Sequence, residues 1–407
     1  MPNHEQHGLR TDKVMDAAKS RLEEALNVTK QASNVRGLWF WTIGVVLLVV
    51  LPLLNALPFP ESWWHVSDFM LNRFGKFLAY AILALGIDLI WGYAGILSLG
   101  HGVFFGLGAY ALGMYLMLSI GTESVYGNTL PDFMVWNQVK QLPFFWMPFY
   151  SFGFAAVAAI LLPILFATIF GFLAFRSRIR GVYFAVITQA LALSAWLVFN
   201  RNETNLGGTN GLTDFKKVLG FRLSDPGTQR ALYILTVLCL GGAYLLCRWI
   251  VNSRSGKVLV AIRDGEQRVL FSGYSPANFK LFVFVVSAAL AGLAGALYVP
   301  QVGIITPAQI GVLPSLEMVI WVAVGGRGTL IGAVLGAIGV NWARSILTNS
   351  FPDLWPFFLG GLFLAVVLLF PEGCVGIYRR ISSAWGAFSD KLRKKPLVPA
   401  PGSQKAP

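Results

Sequence analysis

Ten long apolar runs, separated by polar segments, constrain the fold of this chain more than any other feature. The runs are Leu38–Leu57, Phe77–Trp91, Val103–Ile120, Phe149–Phe175, Gly181–Phe199, Ala231–Val251, Leu281–Val299, Pro314–Val324, Leu330–Leu347 and Trp355–Phe370. A helix that crosses a bilayer needs about 20 mostly apolar residues. Pro314–Val324 is too short for a plain crossing, so we expect a broken or re-entrant segment there. The pattern predicts an all-α integral membrane protein, a polytopic helical bundle of about ten transmembrane segments.

Composition and charge agree with a membrane location. The chain is 56% hydrophobic and only 13% charged, whereas soluble domains carry about 25% charged residues. The net charge of +13 would suit a nucleic-acid surface, but the basic residues are divided among the segments between the runs. Most of them lie in segments that share one side of the membrane if both termini are cytoplasmic. We therefore predict cytoplasmic termini and no nucleic-acid partner.

The same pattern divides the chain into three parts. Residues 1–37 are a predicted cytoplasmic tail, in which helical spacing of apolar residues fits either an amphipathic surface helix or a solvated tail. Residues 38–374 form the predicted transmembrane domain. Residues 375–407 are a predicted cytoplasmic tail that is basic and rich in proline.

The chain lacks the sequence patterns of enzymes. Its three cysteines lie in or beside apolar runs, and no His or carboxylate pair has metal-ligand spacing. The stretch Ser255–Val258 is the nearest approach to a phosphate loop, but no Ser or Thr follows its lysine. We expect no catalytic residue, no metal and no cofactor on this chain, so any ATP and Mg²⁺ must bind to partner subunits.

A charged segment of helical character, residues 254–280, separates two apolar runs. Most connections between elements are about 4–6 residues long, so this segment is much longer than a turn requires. Either a cytoplasmic partner binds this segment, or the segment is a solvated surface helix.

Two glycine-rich clusters, residues 92–110 and 325–339, interrupt the apolar pattern. We predict that Gly92–Gly102 breaks a helix, which a membrane protein tolerates where the freed backbone is buried or lines a wet cavity. Tight helix packing alone is the alternative explanation. Candidate residues of a translocation pathway are Gly92, Gly95, Ser98, Gly100, His101, Asn210, Glu317, Gly325 and Gly326.

Ionisable residues within apolar sequence carry further expectations. Asp88 and Glu317 are expected to stabilise free backbone amides at the helix breaks. Arg344 is expected to extend its side chain to a membrane surface, and Arg327 to lie at a break. We expect His101 to be a neutral hydrogen-bonding residue at a helix turn.

The cluster that begins at Gly92 resembles the signature of permeases of branched-chain amino acid and urea ABC importers, the LivM type. Segment 254–280 is similar to that family's coupling loop, and Ser315–Glu317, Gly325–Gly332 and Phe370–Gly373 complete the likeness. The resemblance implies ATPase-coupling roles for Arg254, Gly256, Ala261, Ile262, Arg263, Asp264, Glu266 and Gly273. In this interpretation Ile262 and Val269 enter a groove of the partner, and Glu266 lies on the polar rim.

The resemblance also implies a location, partners and a solute. It implies the bacterial inner membrane, a second homologous permease, two ATP-binding cassette subunits and a periplasmic solute-binding protein. The insertion Leu130–Asn137, the loop Asn205–Asp214 and Gly325–Thr329 look most like the urea-transporting UrtC type, so urea or a similar small amide is the expected solute.

Other functions stay open. A branched-chain amino acid permease is the first alternative. The two solutes differ in what they need, since an amino-acid zwitterion calls for oriented helix ends or paired charges, which a neutral amide does not need. A passive channel or an ion-coupled carrier for a small solute is the second. A membrane scaffold without transport is the third.

Overall fold

A computed structural model describes residues 46–56, 66–124, 126–177, 179, 181–369 and 373. The predictions for the two tails lie outside these residues. The chain divides into two units, one up to Ser67 and one from Asp68 onward. In the first unit a π-helical turn, Val46–Val50, leads into the short helix α1, Leu51–Ala56.

The second unit is almost entirely helical. Its helices are α2 (Asp68–Asp88, extended by a π-helical turn Leu89–Tyr93), α3 (His101–Leu118), α4 (Asp132–Trp136), α5 (Phe152–Arg176), α6 (Val182–Phe199), α7 (Pro226–Asn252), α8 (Arg254–Phe271), α9 (Pro276–Val302), α10 (Val312–Gly325), α11 (Leu330–Ser350) and α12 (Trp355–Leu369). Four two-residue strands pair antiparallel: β1 (Leu212–Thr213) with β4 (Ile304–Ile305), and β2 (Lys217–Val218) with β3 (Phe221–Arg222).

Seven of the described helices are long and apolar enough to cross a membrane: α2, α3, α5, α6, α7, α9 and α11. Three shorter apolar helices cover Leu47–Ala56, Val312–Gly325 and Trp355–Ala365. The prediction of a polytopic helical membrane protein is confirmed, and its ten apolar segments comprise seven full-length candidate spans and three shorter helices among the described residues. The predicted short segment is α10, which has only 14 residues.

Two helix boundaries differ from the sequence-based expectation. Helix α2 begins at Asp68, well before Phe77, so Lys76 belongs to a candidate span and not to a loop. The charged segment ends as a helix at Phe271, because Gly273 adopts a left-handed φ of 84°. Pro276 then starts α9 at a position where its missing N–H costs nothing, so residues 276–280 belong to the next span.

Helices α2, α3 and α9 form the buried centre, whereas α5 and α6 expose most of their apolar side chains, as lipid-facing helices do. Glycine permits the close crossing of α3 and α9. A β-carbon at Gly108 would lie 2.6 Å from the Cα atom of Gly292. The small-residue pattern therefore brings these two backbones together without intervening side chains.

Candidate translocation site

The first helix break comprises Ala94–Gly100, between the π-helical turn that ends α2 and the start of α3. Gly95 takes a φ of 72° at the point where the chain leaves the helix, a conformation that glycine adopts without strain. At the far end of the break, the Leu99 amide donates to Thr188 Oγ1 of α6 at 3.0 Å. The break predicted for Gly92–Gly102 is therefore present, and hydrogen bonds hold its non-helical backbone to a neighbouring helix.

The second break, Gly326–Thr329, separates α10 from α11. Its Gly328 amide donates to Asp88 Oδ1 of α2 at 2.6 Å. Asp88 is fully buried and lies just before the first break, so one carboxylate joins the two broken regions. The expectation that Asp88 satisfies a free amide at a break is confirmed.

The charged helix α8 contacts the first break directly. Arg263 Nη1 donates to the Gly92 carbonyl oxygen at 2.8 Å. A β-carbon at Gly95 would lie 2.7 Å from Arg263 Cγ, so glycine is what lets the arginine stem approach. Since Arg327 of the second break stacks over the Trp91 ring at 5.6 Å, α8 and both breaks meet at one end of the bundle.

A second connection ties α8 to the core. Lys280 of α9 donates to Glu266 Oε1 at 2.6 Å. A cavity of about 210 Å³ lies between α8 and the first break, and Glu266, Lys280 and Arg263 are among its lining residues. Gly265 interrupts the helical dihedral angles of α8 beside this cavity, so the helix bends there.

The first turns of α3 and α10 meet inside the bundle. The amide of Gly102, near the start of α3, donates to Ser315 Oγ, near the start of α10, at 3.2 Å. Ser315 Oγ in turn donates to the Gly311 carbonyl at 3.0 Å. Two helices that begin within the protein thus present their N-terminal turns to each other, as in discontinuous membrane helices that receive polar solutes.

His101 fastens this region to two further helices. Its Nε2 lies 2.7 Å from Ser287 Oγ of α9, and its Nδ1 lies 2.9 Å from Ser98 Oγ. Ser287 Oγ donates its one hydrogen to the Gly86 carbonyl at 2.6 Å, so we assign the imidazole proton to Nε2. A neutral His101 then satisfies every partner, which agrees with the expected structural role.

The ion pair of Glu317 with Arg344 differs from the partner that the sequence predicts for Glu317. Glu317, in α10, forms an ion pair with Arg344 of α11 instead of binding a backbone amide, and Trp355 Nε1 lies 3.4 Å from its other oxygen. Arg344 pairs with this carboxylate while its side chain stays 43% exposed, so its expected reach to a membrane surface stays a prediction. The reason for the ion pair is that pairing a charge inside the bundle costs less than leaving Glu317 without a partner.

The structure places most of the other predicted site residues at the same junction. Gly325 ends α10 and Gly326 opens the second break, whereas Gly100 packs against the Thr188 carbonyl. Asn210 differs, since it is exposed in a turn just before β1 and forms no contact with the two breaks. Its loop is held elsewhere, by the pairing of β1 with β4.

The predicted coupling residues divide between two faces of α8. Arg254, Ala261, Arg263 and Asp264 are exposed, and Gly256 is buried at the sharp corner with α7. Ile262 and Val269 are buried in this chain, at 3% and 7% exposure, because helical periodicity turns both toward the bundle. Buried side chains cannot enter a partner's groove, so the expected groove contacts of Ile262 and Val269 are wrong. Glu266 is paired with Lys280, and its place on a polar rim stays a prediction.

Sequence reasoning missed the polar partners on neighbouring helices. Ser287, Ser315 and Thr188 are single hydroxyl residues in apolar runs, and nothing in a local pattern distinguishes them from ordinary packing residues. The position of Lys76 at the edge of an apolar run indicates a possible place in the span, but a boundary at Phe77 puts this lysine in a loop.

Comparison with known proteins identifies the family. The profile of the branched-chain amino acid transport system permease component matches residues 69–367. The LivM branched-chain amino acid permease of Escherichia coli is 26% identical over 82% of this chain and 75% of its own length. The BraD permease of Pseudomonas aeruginosa is 25% identical over 78% of this chain and 97% of its own length.

A third relative has a different solute in its name. The LsrC permease of a Yersinia pseudotuberculosis autoinducer 2 import system is 29% identical over 54% of this chain and 62% of its own length. No solved structure matches the chain. The chain belongs to the family of branched-chain amino acid transport permeases, the non-catalytic membrane component of ABC importers.

Proposed function

We propose that this chain is a permease subunit of an ATP-driven importer in a bacterial inner membrane, and that its solute is an amino acid of the branched-chain class. Its partners would be a second homologous permease, two ATP-binding cassette subunits and a periplasmic solute-binding protein. Both termini and α8 would face the cytoplasm, as the distribution of basic residues favours.

The contact between Arg263 and the Gly92 carbonyl is the observation that carries the proposal. A partner that displaces α8 pulls on the first break through this hydrogen bond. The bond between Asp88 and Gly328 passes the displacement to the second break. Rigid-body motion of one helix can therefore reach both discontinuities that interrupt the core.

The surface of α8 offers contacts for an ATPase subunit. Phe271 is 88% exposed and Leu270 is 48% exposed at the end of the helix. Leu270 borders a cavity that Phe172 and Arg176 of α5 also line, whereas Phe271 is the most exposed large apolar side chain of α8. An exposed aromatic residue beside charged neighbours is typical of an interface anchor.

Two observations favour an amino acid over the urea expected from the sequence. The insertion that suggested urea forms α4, which follows the end of α3 opposite to the first break, about 27 Å away along that helix. The bundle also contains the features that a zwitterion calls for: the opposed helix starts at Gly102 and Ser315, and the ion pair of Glu317 with Arg344. LivM and BraD bear the name of branched-chain amino acids.

The test is reconstitution of the complete transporter in proteoliposomes, with leucine uptake and ATP hydrolysis measured together. Arg263→Ala should lower the leucine imported per ATP hydrolysed at least about fivefold, because the ATPase would then move α8 without moving the break. Lys257→Ala, an exposed cation on the same helix, is the matched control and should keep the wild-type ratio. An unchanged ratio in Arg263→Ala would refute the coupling route.

The rival functions give different results in the same system. Leucine uptake by this chain without ATPase subunits would support a passive channel or an ion-coupled carrier. Deletion in cells that abolishes urea uptake and spares leucine uptake would restore the urea interpretation. Absence of any solute uptake by the complete assembly would favour a scaffold.

A further inference from the structure

Lys76 is a cation inside a membrane-crossing helix. Its ammonium group lies 5.8 Å from the ring centre of Tyr80 and 6.0 Å from that of Tyr298. No carboxylate in the described part of the chain forms an ion pair with it. A charge at this depth is costly, and in membrane proteins such residues commonly serve the transported solute.

Lys76 belongs to a charged cluster, which comprises Lys76, Glu317 and Arg344. Glu317 is only 9% exposed and pairs with Arg344. The guanidinium group of Arg344 also stacks over the Trp355 ring at 5.5 Å. Lys76 lies over the Tyr80 ring, and that ring lies 4.7 Å from the ring of Trp321, one helical turn after Glu317 in α10. Two cations and one carboxylate leave the cluster with an uncompensated positive charge.

Aromatic rings form the wall beside this cluster. Tyr80 stacks on Tyr298 with 5.4 Å between ring centres and lies 4.7 Å from the ring of Trp321. Phe105 packs edge-on against Tyr298 at 5.2 Å. These ring faces attract cations. All four rings are buried in this conformation, so they would border an aliphatic side chain only when the helices move apart during import.

The cluster lies in the half of the bundle away from α8. Lys76 precedes Gly92 by 16 residues in one helix, which corresponds to about 24 Å along the axis. With α8 in the cytoplasm, as proposed above, this half faces the side from which a solute arrives. Glu317 follows Ser315 by only two residues in α10, so the cluster lies beside the opposed helix starts, and Lys76 is its member farthest from α8.

We infer that the charged cluster binds the zwitterion of an α-amino acid during import. Lys76 takes the carboxylate, and Glu317 takes the ammonium group in exchange for Arg344. The ring of Tyr80 borders the ammonium, and the aromatic wall borders the side chain. The inference rests on the proposed function and adds to it the residues that distinguish an amino acid from its uncharged or singly charged analogues.

The test is direct binding of radiolabelled leucine to the complex of this chain with its second permease and ATPase subunits in nanodiscs, without the binding protein. Competitors are leucinamide, which lacks the carboxylate, and 4-methylpentanoate, which lacks the ammonium group. Lys76→Met should lower the affinity for leucine at least about tenfold and leave the affinity for leucinamide unchanged. Glu317→Gln should lower the affinity for leucine by a similar factor and leave the affinity for 4-methylpentanoate unchanged.

Arg73→Gln is the matched control. Arg73 lies one turn earlier in α2, and its guanidinium group stacks over Phe69 at 4.5 Å, so its removal should change leucine binding less than twofold. Lys76→Arg keeps the cation and should bind leucine within about threefold of the wild type. If Lys76→Met does not assemble, Lys76→Gln takes its place. A purely structural role would weaken all three ligands equally.

Three outcomes would overturn the inference. The first is wild-type leucine binding in Lys76→Met, or equal loss of every ligand. The second is no saturable leucine binding by the wild type while the complete transporter imports leucine, which would leave the proposed function standing. The third is leucine binding that appears only in phosphatidylglycerol nanodiscs and disappears with phosphatidylethanolamine, which would assign the cluster to a zwitterionic lipid headgroup. Uptake of urea in place of leucine would remove both proposals.

Discussion

Gly108→Ala tests the packing that holds the broken helices in place. The new β-carbon would lie 2.6 Å from the Gly292 Cα atom, whereas unstrained carbon atoms stay about 3.5–4.0 Å apart. The two helices must therefore separate by about 1 Å. No side chain can rotate away, because the obstructing atoms on α9 are backbone.

The expected cost follows from a comparison with a second glycine. Gly242 lies within α7, and a β-carbon there meets no atom within 4 Å. Both substitutions gain the same helix propensity, about 1 kcal/mol, so this term cancels between them. The difference in free energy of unfolding isolates the overpacking cost, about 1–3 kcal/mol, with Gly108→Ala the less stable.

The assay is denaturation of the purified protein by increasing mole fraction of sodium dodecyl sulfate in mixed micelles, followed by tryptophan fluorescence. The transport rate of the reconstituted complex provides a second measurement, since α3 begins at the first break. If Gly108→Ala and Gly242→Ala unfold within about 0.5 kcal/mol of each other, the close crossing of α3 and α9 is not what stabilises the centre, and the argument fails.

Four further substitutions, at three positions, examine the breaks and the exposed end of α8. Asp88→Asn keeps an acceptor for the Gly328 amide and should preserve leucine uptake in proteoliposomes. Asp88→Ala leaves that amide unsatisfied, which lowers the stability by about 1–3 kcal/mol, and should reduce uptake severely. Equal uptake by the two variants would contradict the role of this bond. Gly95→Ala places a β-carbon against Arg263 at a φ of 72°, so it should lower uptake per ATP hydrolysed, and a normal ratio would show that the close approach is dispensable. Phe271→Ser removes an exposed ring and should leave thermal unfolding of the isolated permease unchanged while weakening co-purification of the ATPase subunit; full co-purification would exclude this ring as an anchor.

Local sequence patterns were sufficient for the helices and for the position of the breaks. The apolar runs show which segments can cross a membrane, and the glycines from Gly92 onward show where a helix cannot continue. The role of Asp88 was also predictable, because a buried carboxylate near a break needs a donor. That the donor is Gly328, 240 residues away, depends on how α2 and α10 pack, which no local pattern contains.

The errors at charged residues share one physical cause: burying a charge costs less free energy when a partner lies near it. The boundary at Phe77 places Lys76 in a loop, and the sequence predicts a backbone amide as the partner of Glu317, because local patterns do not show the partners on other helices. Folding brings Arg344 to Glu317 and places Lys76 over two tyrosine rings. Ile262 was misjudged for a related reason, since only the packed structure decides which apolar face of α8 lies inward.

The meeting of the first turns of α3 and α10 has an electrical consequence. Each helix start carries the equivalent of roughly half a positive charge from its aligned peptide dipoles, so two starts joined through Gly102 and Ser315 create a positive region of about one unit charge. Its source is backbone amides, which do not titrate, so its strength is the same in an acidic and a neutral medium. These two helix starts therefore favour nearby negative charge without a lysine, at every pH that the fold survives.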